Sequence, residues 1–170
     1  MARPGRTVQK AELFKQVMSS FPTGVTIVTG VGSSGVPVGF TANAVASVSL
    51  NPCLVLVCAD RDSASLPVLL ESGTFGLSVL GEQDRDIAER FAEEQRDQRF
   101  QDLDLEPTQT GSPILGRALA WVSCTIWKSV EAGDHLILIG EVIDAGLGSE
   151  GRPLVFFRRG YSTVADPPRG

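Results

Sequence analysis

Apolar residues recur along this 170-residue chain with two different periods, helical at first and of strand type afterwards. Phe14, Val17, Met18 and Phe21 stand at i, i+3, i+4 and i+7, the stripe of a helix that Pro22 ends, and the spacing predicts a helix packed against a sheet. From Gly24 the period shortens. Val25, Ile27 and Val28 lie in a Thr-rich run, glycines follow, and residues 36–40 form a second β-type run, so a hairpin is expected around the Gly/Ser turn. Residues 53–59 read as a continuous apolar strand and 74–80 as another. Residues 118–130 read as a long alternating strand with Trp121 and Trp127 on one face. A strand over 135–145 follows the turn at 131–134, and 153–157 forms a last short one. Two helices interrupt the β-series. One covers 65–72, with Pro67 near its start and Gly73 just past its end; the other covers 84–94 and buries Ile87 and Phe91. Residues 97–111 lack periodicity and are expected to form an extended surface loop. The fold class is therefore mainly β with a few helices. Strands joined by short turns fit an antiparallel barrel better than a doubly wound parallel sheet.

Length and composition change this picture little. At 170 residues the chain is one domain on the usual size prior, with residues 11–164 as the folded unit and 1–10 and 165–170 as flexible ends. A hydrophobic content of 42% excludes a disordered chain. Lys and Arg number 15 against 20 Asp and Glu, a net charge of -5, which disfavours nucleic acid and anionic membrane surfaces as partners. Cys53, Cys58 and Cys124 are odd in number and lack zinc-type spacing, so they read as buried thiols in a reducing cytoplasm, with no metal site. No apolar run approaches the roughly 18 residues of a membrane span, and no signal-type block opens the chain. A cytoplasmic protein is expected.

Four segments are candidates for chemistry. Gly30-Val31-Gly32-Ser33-Ser34-Gly35 matches the dinucleotide-binding glycine fingerprint, but an extended run follows it, and no Asp or Glu occurs between Glu12 and Asp60. The fingerprint needs a helix and an acidic residue there, so a hairpin turn is the better reading. Residues 39–52 are dense in small hydroxyl and amide side chains; these let a ligand approach the main chain and supply donors and acceptors to a flat polar heterocycle, although an ordinary polar loop has the same composition. In Asp60-Arg61-Asp62-Ser63-Ala64-Ser65, Ser63 and Ser65 with Arg61 can hold a phosphate ahead of the short helix; alternatively Ser65 only caps it and Arg61 pairs with an acid. The single histidine, His135, follows Asp134 at a turn. No Gly-x-Ser-x-Gly elbow accompanies it.

In order, Phe21-Pro22-Thr23-Gly24-Val25-Thr26-Ile27-Val28-Thr29, Gly39-Phe40-Thr41-Ala42-Asn43, Ser47-Val48-Ser49 with Pro52, residues 75–80, Gly133-Asp134-His135 and Gly140-Glu141-Val142 resemble the short-chain flavin reductases, the reductase components of two-component flavin monooxygenases. The resemblance spans residues 11–164. It implies an FMN-binding split β-barrel with Greek-key-like connections, a homodimer that takes hydride from NADH or NADPH and delivers it to FMN or FAD, and a separate monooxygenase that receives the diffusible reduced flavin. By the same resemblance Thr41, Ala42, Asn43, Ala44, Ser47 and Val48 line the flavin ring and ribityl chain. The stretch from Ala59 through Arg61 and Ser63 to Ser65 meets its phosphate, His135 stands on the nicotinamide side, and Tyr161 closes the site. Cys53 departs from a second proline common in the family, and Asp60 and Asp62 add negative charge to the phosphate segment.

Such a site needs no catalytic triad, because the cofactors carry the hydride and the protein supplies alignment and a dry cleft. Three rivals remain at this stage. They are a split-barrel flavoprotein that retains FMN and acts on another substrate, a non-catalytic flavin-binding protein, and a hydrolase using Ser47 or Ser49 with His135.

Overall fold

The computed structural model describes residues 4–93 and 98–165. In chain order the elements are α1 (Pro4–Ser19), β1 (Thr23–Gly24), β2 (Thr26–Val31), β3 (Pro37–Ala42), β4 (Val45–Leu50), β5 (Cys53–Asp60), α2 (Leu66–Ser72) and β6 (Thr74–Val79). A single 3-10 turn (Glu82–Asp84) leads into α3 (Arg85–Ala92). The chain then forms β7 (Leu105–Glu106), β8 (Ile114–Leu115), β9 (Ala120–Ala132), β10 (His135–Leu147), β11 (Leu154–Phe157) and β12 (Gly160–Thr163).

Seven strands form one antiparallel sheet in the order β3-β2-β6-β9-β10-β5-β4. Its two edge strands, β3 and β4, are consecutive in the chain and separated only by Asn43 and Ala44. Three peptide steps span at most about 11 Å. The sheet must therefore roll until its opposite edges meet at that link, which gives the expected mainly antiparallel, barrel-like architecture. The Cys58 N–H donates to the Ala44 carbonyl at 3.0 Å and pins the link to β5. A smaller sheet, β1-β11-β12, lies beside the roll, and β7 pairs with β8.

Alternation along β2 divides the core. Val28 joins Val57, Leu69, Phe75, Cys124 and Leu138 in one buried cluster that α2 closes, whereas Ile27 joins Leu80, Ile87, Phe91 and Leu115 in a second, beneath α3. Pro67 opens α2, and Gly73 ends it in a left-handed conformation with φ of 67°, the asymmetry expected of helix ends.

The structure corrects several expectations. The α1 stripe does not pack on a sheet of its own chain: Leu13, Phe14, Val17, Met18 and Phe21 are each 48–64% exposed. The helix also begins at Pro4, within the segment expected to be loose, while the tail after Ala165 lies outside the described residues. Within residues 39–52, whose composition also suits an ordinary polar loop, residues 45–50 form the strand β4. Pairing with the apolar β5 outweighs the weak strand propensity of its Ala and Ser residues. Residues 98–111 are no free loop, since Phe100, Leu103 and Leu105 pack on the α3 cluster and β7 pairs with β8. The β9–β10 pairing skips Trp127, an irregularity in the expected alternation of that strand.

Candidate functional site

A cavity of about 610 Å³ opens where the rolled sheet closes, within the usual size range of small-molecule sites. Four parts of the chain build it. The end of β3 and the link supply Phe40, Thr41, Ala42, Asn43 and Ala44; the end of β5 and the turn into α2 supply Cys58, Asp60, Asp62, Ser63 and Ala64. The end of α3 supplies Phe91 and Ala92, with Arg99 beyond it, and β10 begins with His135.

Hydrogen bonds hold these parts in place. The Thr41 hydroxyl donates to the Ala88 carbonyl at 2.6 Å, tying β3 to α3, and the Thr26 hydroxyl donates to the Ala42 carbonyl at 2.8 Å. The Asn43 amide reaches the Thr23 hydroxyl at 3.2 Å. On the other wall, His135 stands directly opposite Asp60 in the β5–β10 ladder, and the Arg61 N–H donates to the Asp134 carbonyl at 3.0 Å. Asp60 Oδ1 accepts the Asp62 N–H at 2.8 Å, which turns that carboxylate into its own loop.

The imidazole is oriented from outside the cavity. His135 Nδ1 lies 2.8 Å from Asp134 Oδ1, and that hydrogen bond, followed by the imidazole's charge, holds the Asp134 carboxyl below its ordinary range. Nε2 is then the ring nitrogen available to a ligand. Burial raises the Cys58 thiol, so it remains protonated at neutral pH and acts as a small neutral wall residue.

Of the residues singled out by sequence, the structure brings together Thr41, Ala42, Asn43, Ala44, Ser63 and His135. It separates the others. Ser47 and Val48 lie along β4, and Val48 is pushed out by a bulge against β5. Ala59 is fully buried in the barrel core. Arg61 turns outward to within 3.6 Å of Glu131, and Ser65 is buried with its hydroxyl donating to the Gly39 carbonyl at 3.1 Å. Tyr161 sits on β12 in the smaller sheet, edge-on to Phe156 with Arg85 above it, and does not close the cavity. Ser47 and Ser49 share no wall with His135, so a Ser/His hydrolase has no geometry here. Sequence reasoning did not place Phe91 or Arg99 at the site, and it quoted Phe40 only as part of a motif. The two aromatics carry the signature of core residues, and Arg99 lies in a stretch without periodicity.

A second cavity of about 810 Å³ adjoins the first and shares Asn43, Ala44 and Cys58 with it. Phe14, Met18, Phe21, Val45, Leu56 and Phe156 give it a largely apolar lining, with Glu12, Lys15 and Arg159 also on its walls.

The first cavity fits a flavin. Short side chains at the link expose main chain to a flat ring, and the Ser63 hydroxyl is a further polar group on the lining. Comparison with known proteins agrees. The family model described as a flavin reductase like domain matches residues 18–165. The chain is 40% identical over 163 residues to the flavin reductase (NADH) of Kitasatospora aureofaciens, covering 93% of this chain and 85% of that one. It is similar to BorF, the flavin reductase component of a bacterial two-component tryptophan halogenase. The identity is 37% and the TM-score 0.85, over 92% of this chain and 99% of that one. It is also similar to the Streptomyces globisporus NADH:FAD oxidoreductase SgcE6 in complex with NAD and FAD fragments, with 34% identity and a TM-score of 0.86 over 99% of both chains.

Proposed function

This chain belongs to the flavin reductase like domain family, and we propose that it reduces FMN or FAD with NADH or NADPH and releases the reduced flavin to a separate monooxygenase. The observation that carries this reading is the cavity at the seam, where main chain and small side chains from residues 41–44 face His135 across a space of flavin size.

When both are bound, the nicotinamide supplies a hydride and the flavin accepts it. The protein's part is alignment. Thr41 to Ala44 form a flat wall whose carbonyls and N–H groups can meet the polar edge of a ring, and the Thr41 bond to Ala88 keeps that wall from shifting against α3. His135, held by Asp134, orients the nicotinamide through Nε2 without removing a proton. Phe40 and Phe91 exclude water from one side. A wall built largely from main chain and short hydroxyls also suits a flavin that departs after reduction.

FAD and NADH are the preferred pair in this reading, in line with the names of the relatives. Two further proposals accompany it. The chain acts as a homodimer through α1 and the apolar cavity, since an exposed stripe of five large apolar residues requires cover. It works in the cytoplasm, where the nicotinamides are available; no helix among the described residues is long and apolar enough to cross a membrane.

The test mixes purified protein with NADH and excess FMN or FAD and follows loss of the nicotinamide's near-ultraviolet absorbance. Many turnovers per enzyme with free flavin support the reading. A single turnover with flavin that stays on the protein would instead indicate a flavoprotein that retains its cofactor, and binding without turnover would indicate a non-catalytic flavin carrier.

A further inference from the structure

Resting on the flavin reductase reading, we infer that residues 98–118 form a strap that positions α3 as a wall of the flavin cavity, and that Thr29, Ser78 and Ser123 on the barrel are the positioning residues that hold the strap. Thr29, Gly76 and Ser123 stand in one row across β2, β6 and β9. Ser78 lies two residues along β6, on the same face, which Ile27 also shares beneath α3. Short polar side chains suit this covered face because of the chain that covers it. Residues 107–113 belong to no helix or strand, so their buried backbone groups need partners outside regular pairing. The barrel supplies them. The Thr29 hydroxyl donates to the Pro113 carbonyl, and the Ser78 hydroxyl accepts the Leu115 N–H at 3.0 Å. The Ser123 hydroxyl lies 2.7 Å from that of Thr108, which donates to the Ser112 carbonyl at 2.7 Å, and the Thr74 and Ser112 hydroxyls meet at 2.9 Å. Thr29, Ser78, Ser112 and Ser123 are all buried. The fit is close, since a Cβ on Gly76 would stand 2.6 Å from the Pro113 carbonyl oxygen.

The same segment holds α3 along its length. Arg117 Nε lies 2.6 Å from Asp84 Oδ1 just before the helix begins, Leu115 is buried in one cluster with Ile87 and Phe91, and the Phe100 ring meets Phe91 edge-on at 4.9 Å. Pairing of β7 with β8, together with the Gly116 N–H donating to the Asp104 carbonyl at 3.0 Å, joins the Phe100 end of the strap to the Leu115 end. Phe91 and Ala92 are the lining that α3 gives the cavity, whereas His135 is carried by β10. Thr29, Ser78 and Ser123 do not line the cavity. They act on a bound flavin through the strap and α3, and they leave the histidine side of the site alone.

The experiment compares the wild-type protein with Thr29→Val, which keeps the shape and removes the hydroxyl, with Thr29→Ser, which keeps the hydroxyl, and with Ser123→Ala. Amide hydrogen exchange of the flavin-free protein is followed by mass spectrometry, FMN affinity by fluorescence titration, and the KM for NADH by steady-state kinetics at saturating FMN. Thr29→Val leaves the buried Pro113 carbonyl without its donor, so exchange should quicken over residues 98–118 and α3 while β5 and β10 stay protected. FMN affinity should fall about three- to tenfold, with the KM for NADH within about twofold of wild type. Ser123→Ala should change the same quantities in the same direction, and Thr29→Ser should restore them. If Thr29→Val does not fold, Ser123→Ala decides by the same readings. Unchanged exchange, faster exchange spread evenly over the chain, or faster exchange confined to the strap and α3 with unaltered FMN affinity would each overturn the inference. So would a KM for NADH that rises in step with the loss of FMN affinity, or a Thr29→Ser variant no better than Thr29→Val. Protein that binds FMN and turns over no NADH would end the flavin reductase reading, and exchange and FMN affinity would still decide the role of the strap.

Discussion

His135 and Asp60 are direct cross-strand neighbours, paired in the ladder between β10 and β5, and both line the cavity where the rolled sheet closes. Because the register fixes this pair, the imidazole is carried by a rigid strand while Asp134 sets its ring orientation from the turn. Replacing His135 by Ala should raise the KM for NADH and lower kcat/KM by about ten- to a hundredfold, equal to roughly 1.4–2.7 kcal/mol of lost alignment, with flavin affinity nearly unchanged. Steady-state kinetics at saturating flavin read this directly. A variant with lower thermal stability but intact nicotinamide kinetics would reduce His135 to a turn residue.

Gly39 is required by packing. A Cβ there would stand 2.6 Å from the Val28 carbonyl oxygen, 3.0 Å from the Phe91 ring and 3.2 Å from the Phe100 ring, and the carbonyl belongs to the neighbouring strand. Gly39→Ala should therefore destabilise the protein by about 1–3 kcal/mol, the usual cost of overpacking a filled site. Phe91 lines the cavity and the Gly39 carbonyl anchors Arg99, so flavin affinity should fall as well. Urea denaturation and flavin titration measure the two effects; an unchanged unfolding midpoint would show that the strands can separate there without cost.

The α1 helix makes the homodimer testable. Phe14 and Met18 line the apolar cavity and are among its exposed large residues, so a charge at either position should be tolerated by the free chain and opposed in a dimer. Phe14→Glu should shift sedimentation from a two-chain to a one-chain species with far-ultraviolet circular dichroism retained. Wild-type protein that sediments as a single chain at micromolar concentration would leave the stripe without this explanation.

Much of the architecture was legible from periodicity alone, because the strands at 26–31, 53–60 and 74–79 bury apolar runs. The failures have physical causes. Period cannot say what covers a helix, so the stripe containing Phe14 and Met18 reads as facing the chain's own sheet although it is exposed. Residues 45–50 carry no strand signal of their own, because short polar side chains suit a strand only when a neighbour such as β5 supplies the pairing. At the site, local segments such as 41–44 and the turn residue His135 were recognisable. Arg99 was not, since its proximity to Ser65 arises from a shared contact on Gly39 that no sequence spacing encodes.

Asp84 poses a separate problem, a fully buried carboxylate that lies outside the cavity. Its Oδ2 accepts the Gly81 N–H at 3.0 Å, and Oδ1 lies 2.6 Å from Nε of the half-exposed Arg117. Burial pushes the carboxyl above its ordinary range, while the Gly81 N–H and the Arg117 charge pull it back down. A raised folded-state pKa means that the ionised form disfavours folding. The stability attached to this group is thus fully present below the unfolded value, near 4, and is lost as pH rises through the folded one. Arg117→Ala removes one of the two opposing influences and leaves a buried charge, so it should cost about 1–3 kcal/mol at neutral pH, discounted from a fully buried pair because the guanidinium is half in solvent. That deficit should shrink as pH is lowered through the raised Asp84 pKa, because the carboxyl then protonates in both proteins. Asp84→Asn removes the charge and keeps an oxygen for one of the two donors, so it should cost only about 1 kcal/mol and show little pH dependence of its own. Chemical denaturation of the three proteins across acidic to neutral pH measures all of this. A deficit in Arg117→Ala that stays constant with pH would mean that Arg117 stabilises by packing its stem, with Asp84 neutral throughout.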